Sequence, residues 1–313
     1  MLMRVLLLLL ASCSGALDGQ VVAQTRQVDP VTTAFRVGIE IVSVNVTVTS
    51  SDQRFVGDLT PDDFIVLENG VPQPLRHFAK SGIPLSMALL IDTSASMADV
   101  LPLVQDAASG FVRQVTGGDV ASIIDFETRV EIGQALTADI DALERAIRGT
   151  RTGGGTSLYN ALDVALRELG EPIPGDNGAP PRRRVIIVLS DGADTSSAVT
   201  YDQVLARAVR SETIIYGISL GAGQRSGAPL EGDSGELILR RLARQTGGRA
   251  FFTDEAKDLA RFYGQIRDEL ANQYSLGYEP TGSADGKWRR LEVRVRRPGA
   301  TARTRAGYFA PTQ

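Results

Sequence analysis

Four short runs constrain this chain more than anything else in it: "LSMALLID" from residue 85, "DVASIIDF" from 119, "RVIIVLSD" from 184 and "TIIYGISL" from 213. Each is continuously apolar rather than alternating, and rich in β-branched residues. A strand with that texture is covered on both faces, which is the condition of a parallel sheet with helices on either side. Helical periods lie between the runs: "LPLVQDAASGFVRQV", "DIDALERAIRG", "SLYNALDVALREL", "YDQVLARAVRS" and "ELILRRLARQTGG". Strand and helix therefore alternate from about Leu85 onward, which predicts a doubly wound α/β domain. A last helix, Asp254 to Asn272, follows.

The two ends have a different texture. "VSVNVTVTS" alternates strictly, with Val42, Val44, Val46 and Val48 on one side, and predicts a strand from a sheet with one wet face. "FIVLENGVPQ" adds a strand, a Glu-Asn-Gly turn and a second strand. Near the other end, "WRRLEVRVRR" sets Leu291, Val293 and Val295 opposite Glu292, Arg294 and Arg296, and "RTRAGYF" predicts one further strand. Matching β texture at both ends points to their packing together, with the α/β domain inserted between them. The Arg-rich end from Lys287 to Arg305 reads first as a solvated sheet face, with binding of anionic lipid or polysaccharide as the alternative. The sequon at Asn45 falls within a strand and carries no functional expectation.

The first residues, "MLMRVLLLLLASCSG", have Arg4 before an apolar core too short to span a bilayer, the pattern of an export signal. Leu10-Ala11-Ser12-Cys13 resembles the lipobox of bacterial lipoproteins, and Cys13 is the one Cys of the chain. The expectation is lipidation at Cys13 and an envelope location, periplasmic or outer-membrane associated. An ordinary signal peptide cut near "SGA", giving a secreted protein, is the alternative. The expected organisation is then a signal over 1–16, a linker over 17–34, an N-terminal β module over 35–82, the α/β domain over 83–272 and a C-terminal β segment over 273–313.

Composition narrows the chemistry. One Cys and one His among 313 residues exclude an internal disulfide and a His/Cys zinc site. A formal charge of −4 gives no reason to expect nucleic acid.

In open α/β sheets, function collects at the carboxyl ends of the strands. Three segments put oxygen donors there: Asp92-Thr-Ser94-Ala-Ser96, "TGGGTS" with Thr156 after three glycines, and "VLSDG" with Asp191. Two carboxylates and three hydroxyls are hard donors suited to Mg²⁺, with Mn²⁺ or Ca²⁺ as alternatives. Five side chains cannot all bind directly and leave room for water, so the cation stays electron-poor and takes one more anionic oxygen from outside. Helix capping is the plainer reading of Asp92, Ser94, Ser96 and Thr156, but it does not explain five such residues from three segments. Asp99 and Asp194 read as rim charges.

The order D-x-S-x-S, then Thr, then Asp resembles the metal-ion-dependent adhesion site of von Willebrand factor type A domains, over roughly Pro84 to Asn272. The flanks resemble, more loosely, exported bacterial von Willebrand A-related proteins of acidobacterial type. The resemblance implies a Rossmann-like fold and a metal set of Asp92, Ser94, Ser96, Thr156 and Asp191, with Ser94 and Ser96 coordinating directly. It also implies a protein ligand whose Asp or Glu completes the shell. The expected function is a cation-dependent adhesion module that is not an enzyme. An envelope assembly protein whose metal only stabilises the fold is the competing class. A metal-dependent hydrolase is disfavoured because the one His, His77, lies before the α/β domain and no other general base is evident.

Overall fold

The structure, a computed structural model, describes residues 41–80, 82–115, 118–172, 182–190, 194–220 and 234–312. Four strands come first: β1 (Val42–Thr49), β2 (Phe64–Glu68), β3 (Val71–Gln73) and β4 (Leu75–Lys80). The alternating region follows as β5 (Leu85–Asp92), α1 (Leu101–Val112), β6 (Val120–Phe126), β7 (Val130–Thr137), α2 (Ile140–Gly149), α3 (Leu158–Glu168) and β8 (Arg183–Ser190). It continues through α4 (Tyr201–Arg210), β9 (Ile214–Leu220), α5 (Gly235–Thr246), β10 (Ala250–Thr253) and α6 (Leu259–Ala271). Four strands close the chain: β11 (Tyr274–Tyr278), β12 (Trp288–Val295), β13 (Thr301–Arg303) and β14 (Gly307–Phe309).

The central sheet has six strands in the order β10-β9-β8-β5-β6-β7, parallel except for the β6–β7 pair. Every residue of β5 is buried, as a strand covered on both faces requires. Its residues alternate between two cores. Met87, Leu89 and Ile91 join α1, α2 and α6 on one face, whereas Ala88 and Leu90 join α3, α4 and α5 on the other. The four runs that defined the alternation became β5, β6, β8 and β9.

The terminal strands interleave. One sheet runs β13-β1-β11-β4 and another β14-β12-β2-β3, so each mixes strands from both ends of the chain. Val44, Val46, Tyr274 and Leu276 of the first pack in one core with Phe64, Val66, Leu291 and Val293 of the second. The result is a β-sandwich into which the α/β domain is inserted. The Asn69–Gly70 turn between β2 and β3 has φ of 49° and 84°, the left-handed pair that a two-residue hairpin demands.

Three expectations change. The outer face of β1 is not simply wet: Thr47 is only 2% exposed, because its hydroxyl meets the carboxylate of Glu269 on α6. "RTRAGYF" is not one strand but the end of β13 and then β14, which serve different sheets; between them Arg305 turns inward and is 7% exposed. The last helix begins at Leu259 rather than Asp254, after a single 3-10 turn over Ala256–Asp258. Residues 1–40, including the signal-like segment and Cys13, lie outside the described residues.

Candidate metal centre

The candidate site grows from the end of β5. Asp92, the last residue of that strand, has no exposed surface. Its Oδ1 accepts the Ser94 N–H at 2.9 Å and its Oδ2 accepts the Ser190 hydroxyl at 2.5 Å. The first bond folds the chain back on itself directly after the strand. The second ties β5 to β8, its parallel neighbour. Ser94 heads a short 3-10 turn over Ala95–Met97 without using its side chain as a cap. Its hydroxyl instead lies 3.1 Å from that of Ser96. Ser94 is 2% exposed, whereas Ser96 is exposed, so the pair opens outward at Ser96.

The glycine turn is laced to this loop. Gly153 N–H donates to the Thr93 carbonyl at 2.8 Å, and Ala95 N–H donates to the Gly154 carbonyl at 3.3 Å. Gly154 has φ of +56°, in the left-handed region where a side chain is strained, so glycine suits this turn. Thr156 is held through its backbone: its N–H donates to Thr195 Oγ1 at 3.0 Å, and its carbonyl accepts the N–H groups of Thr195 and Ser196. Its hydroxyl takes no hydrogen bond among the described residues. Capping does not account for it, since the N-cap of α3 is Ser157 and the Ser157 hydroxyl donates to the Glu127 carbonyl. Nor does capping account for Asp92, Ser94 or Ser96, because α1 starts after Val100.

Asp191, the fifth member of the set, lies outside the described residues, immediately after Ser190. Asp194 is occupied elsewhere: it accepts the Ser197 hydroxyl at 2.5 Å and the Tyr159 N–H at 3.2 Å, at the start of α3. His77 sits on β4 in the sandwich, paired with Gly277. Among the described residues no three His, Cys, Asp or Glu side chains cluster as a carboxylate-rich metal site would need. The donor set here is instead mostly hydroxyl. Three positioning residues carry no spacing signature and escape sequence reasoning: Ser190 on Asp92, Thr195 on Thr156, and Thr128, whose Oγ1 accepts the Gly155 N–H at 2.8 Å.

This arrangement fits a small hard cation. Adjacent ligands of an octahedral Mg²⁺ at 2.0–2.1 Å stand about 2.9 Å apart. The Ser94 and Ser96 oxygens are already near that spacing at 3.1 Å, beside a buried carboxylate. An acidic fringe lies next to the glycine turn. Burial pushes the Asp125 carboxyl above its ordinary value, and Glu131 adds to the effect. Glu127 is held below its ordinary value, chiefly by the Thr128 backbone N–H.

A model of the von Willebrand factor type A domain matches residues 87–193, the stretch from β5 through the end of β8. The chain carries a von Willebrand factor type A domain. Domains of this family commonly mediate metal-dependent protein–protein interaction and are generally interaction modules rather than enzymes. Among relatives, a UPF0353 protein of Nocardia farcinica (strain IFM 10152) is 25% identical over 243 residues, covering 67% of this chain and 69% of its own length. The inter-alpha-trypsin inhibitor heavy chain H1 of Sus scrofa is 24% identical over 220 residues; the match covers 66% of this chain but 23% of that much longer protein. The von Willebrand factor type A structure from Catenulispora acidiphila shares the fold with a TM-score of 0.51 at 13% identity, over 89% of this chain and 76% of that one. Proximal thread matrix protein 1 from the mussel byssus, with a zinc-occupied MIDAS motif, shares it with a TM-score of 0.51 at 15% identity, over 66% of this chain and 50% of that one.

Proposed function

We propose that this protein is an exported, cation-dependent binding module that captures an acidic residue of a partner protein through a Mg²⁺ site. Asp92, Ser94, Ser96, Thr156 and Asp191 hold the ion. The observation that carries the reading is the convergence of the Ser94 and Ser96 hydroxyls beside buried Asp92, laced to the glycine turn before Thr156. When bound, the cation supplies a Lewis-acidic centre whose neutral hydroxyl ligands leave much of its charge uncompensated. Ser94 and Ser96 orient it, Asp92 neutralises part of its charge from within, and the exposed side at Ser96 is where a partner carboxylate enters. The zinc-occupied motif of the mussel protein supports a divalent ion of this kind. Mn²⁺ would compete with Mg²⁺ at such a donor set.

The reading is tested by capture of envelope proteins on the purified protein with Mg²⁺, with chelator, and with Asp92→Ala. A specific partner should be lost in both of the latter, and neutralising its contacting Asp or Glu should weaken binding at least tenfold, about 1.4 kcal/mol. A partner retained through chelation and mutation would leave the ion a purely structural role. The export reading rests on residues 1–16 alone. Two or more acyl chains at Cys13 would hold the protein stably to a membrane, each buried CH₂ adding about 0.8 kcal/mol. Cys13→Ser is therefore expected to move the protein from the membrane to the soluble fraction, or to block its maturation. Unchanged fractionation would show that Cys13 is not the anchor.

A further inference from the structure

A second surface, distinct from the metal site and independent of that reading, lies along β10. Among the described residues this strand ends the central sheet and pairs only with β9. In a parallel ladder a residue directs its N–H and C=O to the same side. The Gly217 N–H donates to the Arg249 carbonyl, and Ala250 stands opposite Gly217 in the register. Arg249 and Phe251 therefore face β9, while the backbone groups of Ala250 and Phe252 point away from the sheet. Ala250 and Phe252 are the β10 residues that line a groove of about 720 Å³ running between this edge and the β12–β13 side of the sandwich.

The groove is strongly cationic in a chain of net charge −4. Arg240, Arg244, Arg249 and Arg290 line it, all exposed and none paired with a carboxylate among the described residues. Glu292 is the acidic residue in the lining, and Arg294 already holds it at 2.6 Å. Two of the arginines are fixed by aromatic rings: Arg240 lies 4.7 Å from the centroid of Phe252 and Arg249 lies 4.9 Å from that of Phe251. Stacking of this kind reduces the freedom these side chains lose on binding an anion.

We propose that this groove binds an extended acidic peptide of a partner protein, which adds as a strand to β10 while its carboxylates meet the arginines. An open strand edge supplies main-chain hydrogen bonds, and flanking pockets read alternate side chains. Alternate residues of an extended peptide recur about every 6.6 Å on one side, so glutamates at every second position would face Arg240 and Arg244, one turn apart on α5 at the Phe252 side of the strand, together. A flexible polyanion would gain the charge contacts but not the backbone ladder, which favours the peptide. The plainer role for arginines beside an edge strand is to keep it from pairing at all.

The probe is a labelled six-residue peptide of alternating glutamate and valine, titrated by fluorescence anisotropy against the full-length protein at low salt. Saturable binding is expected, weakened at least tenfold by replacing glutamate with glutamine and by the double change Arg240→Ser with Arg244→Ser. Ala250→Pro removes only an N–H that faces the groove, and should weaken the peptide at least fivefold while leaving inorganic polyphosphate binding and the melting temperature unchanged. A peptide N-methylated at alternate residues tests the same bond without altering the protein, and should also bind at least fivefold more weakly. Peptide binding indifferent to both backbone changes would mean a generic anion patch and overturn the proposal. No binding of the acidic peptide would mean that the arginines only guard the edge, and would overturn it equally.

Discussion

The seam between α6 and the sandwich and the loop cluster at the end of β5 both bury carboxylates and hydroxyls, but they treat them differently. At the seam, Glu269 is 2% exposed and each of its oxygens is matched. Oε1 accepts Tyr216 at 2.5 Å and Thr47 at 3.4 Å, while Oε2 meets Arg303 at 2.5 Å. Gln273 bridges Thr47 and Tyr216, and it accepts Arg183 at 2.8 Å. Burial, reinforced by Glu269, pushes the Tyr216 hydroxyl well above its ordinary pKa, which favours the protonated donor form. In the loop cluster, Ser94 and Ser96 bond to each other, and the Thr156 hydroxyl bonds to nothing described. A network in which both oxygens of the buried carboxylate are matched fixes two parts of the chain together. Hydroxyls that bond to one another keep oxygen lone pairs with which a cation can be held.

The contrast breaks first at the seam. Glu269→Ala strands the buried hydroxyls of Tyr216 and Thr47 and removes the carboxylate from Arg303, which is a third exposed and keeps the Gly247 and Gly248 carbonyls, so a loss of about 2–3 kcal/mol is expected. Urea denaturation should show that loss in full, with or without Mg²⁺. A loss below about 1 kcal/mol would mean that the seam is held by its apolar contacts alone.

The smallest expected effect is at the acidic fringe of the loop cluster. Burial raises the folded-state pKa of Asp125, so its contribution is fully present below the unfolded value near 3.9 and is lost as pH rises through the folded value. Asp125→Asn removes that penalty. The variant is expected to gain stability relative to the wild type between pH 4 and pH 7, by under about 1 kcal/mol because the group is half-exposed to solvent. Parallel pH–stability curves for the two proteins would contradict it.

Much of this was legible in the amino-acid order. Continuous apolar runs gave β5, β6, β8 and β9 because burial on both faces leaves no polar alternation to mislead. The edges of the sheet were not legible. "VEIGQALT" became β7 with all of its residues exposed or half-buried, so it shows no buried face, and "AFFT" became β10 at only four residues, too few for a pattern. The break at Arg305 was hidden because an arginine in an alternating stretch reads as solvent-facing. This one instead is paired with Glu212 at 2.9 Å and donates to the Ser43 carbonyl at 2.7 Å. At the candidate site, Asp92, Ser94, Ser96 and Thr156 were legible through spacing. Ser190, Thr195 and Thr128 were not, since each acts through a hydrogen bond that only the folded loops create.

The central claim is that the spare hydroxyls beside Asp92 are a cation site, and one measurement tests it most directly. Melting of the wild type is compared with that of the double variant Ser94→Ala and Ser96→Ala, with chelator and across millimolar Mg²⁺. Without metal the two should melt within about 1 kcal/mol of each other, because the substitution removes both partners of one hydrogen bond and strands neither. With metal, the wild type should gain stability by mass action, about 2.7 kcal/mol at a hundredfold excess over Kd, and the variant should gain none. Equal gains in both proteins would place the ion elsewhere and contradict the assignment.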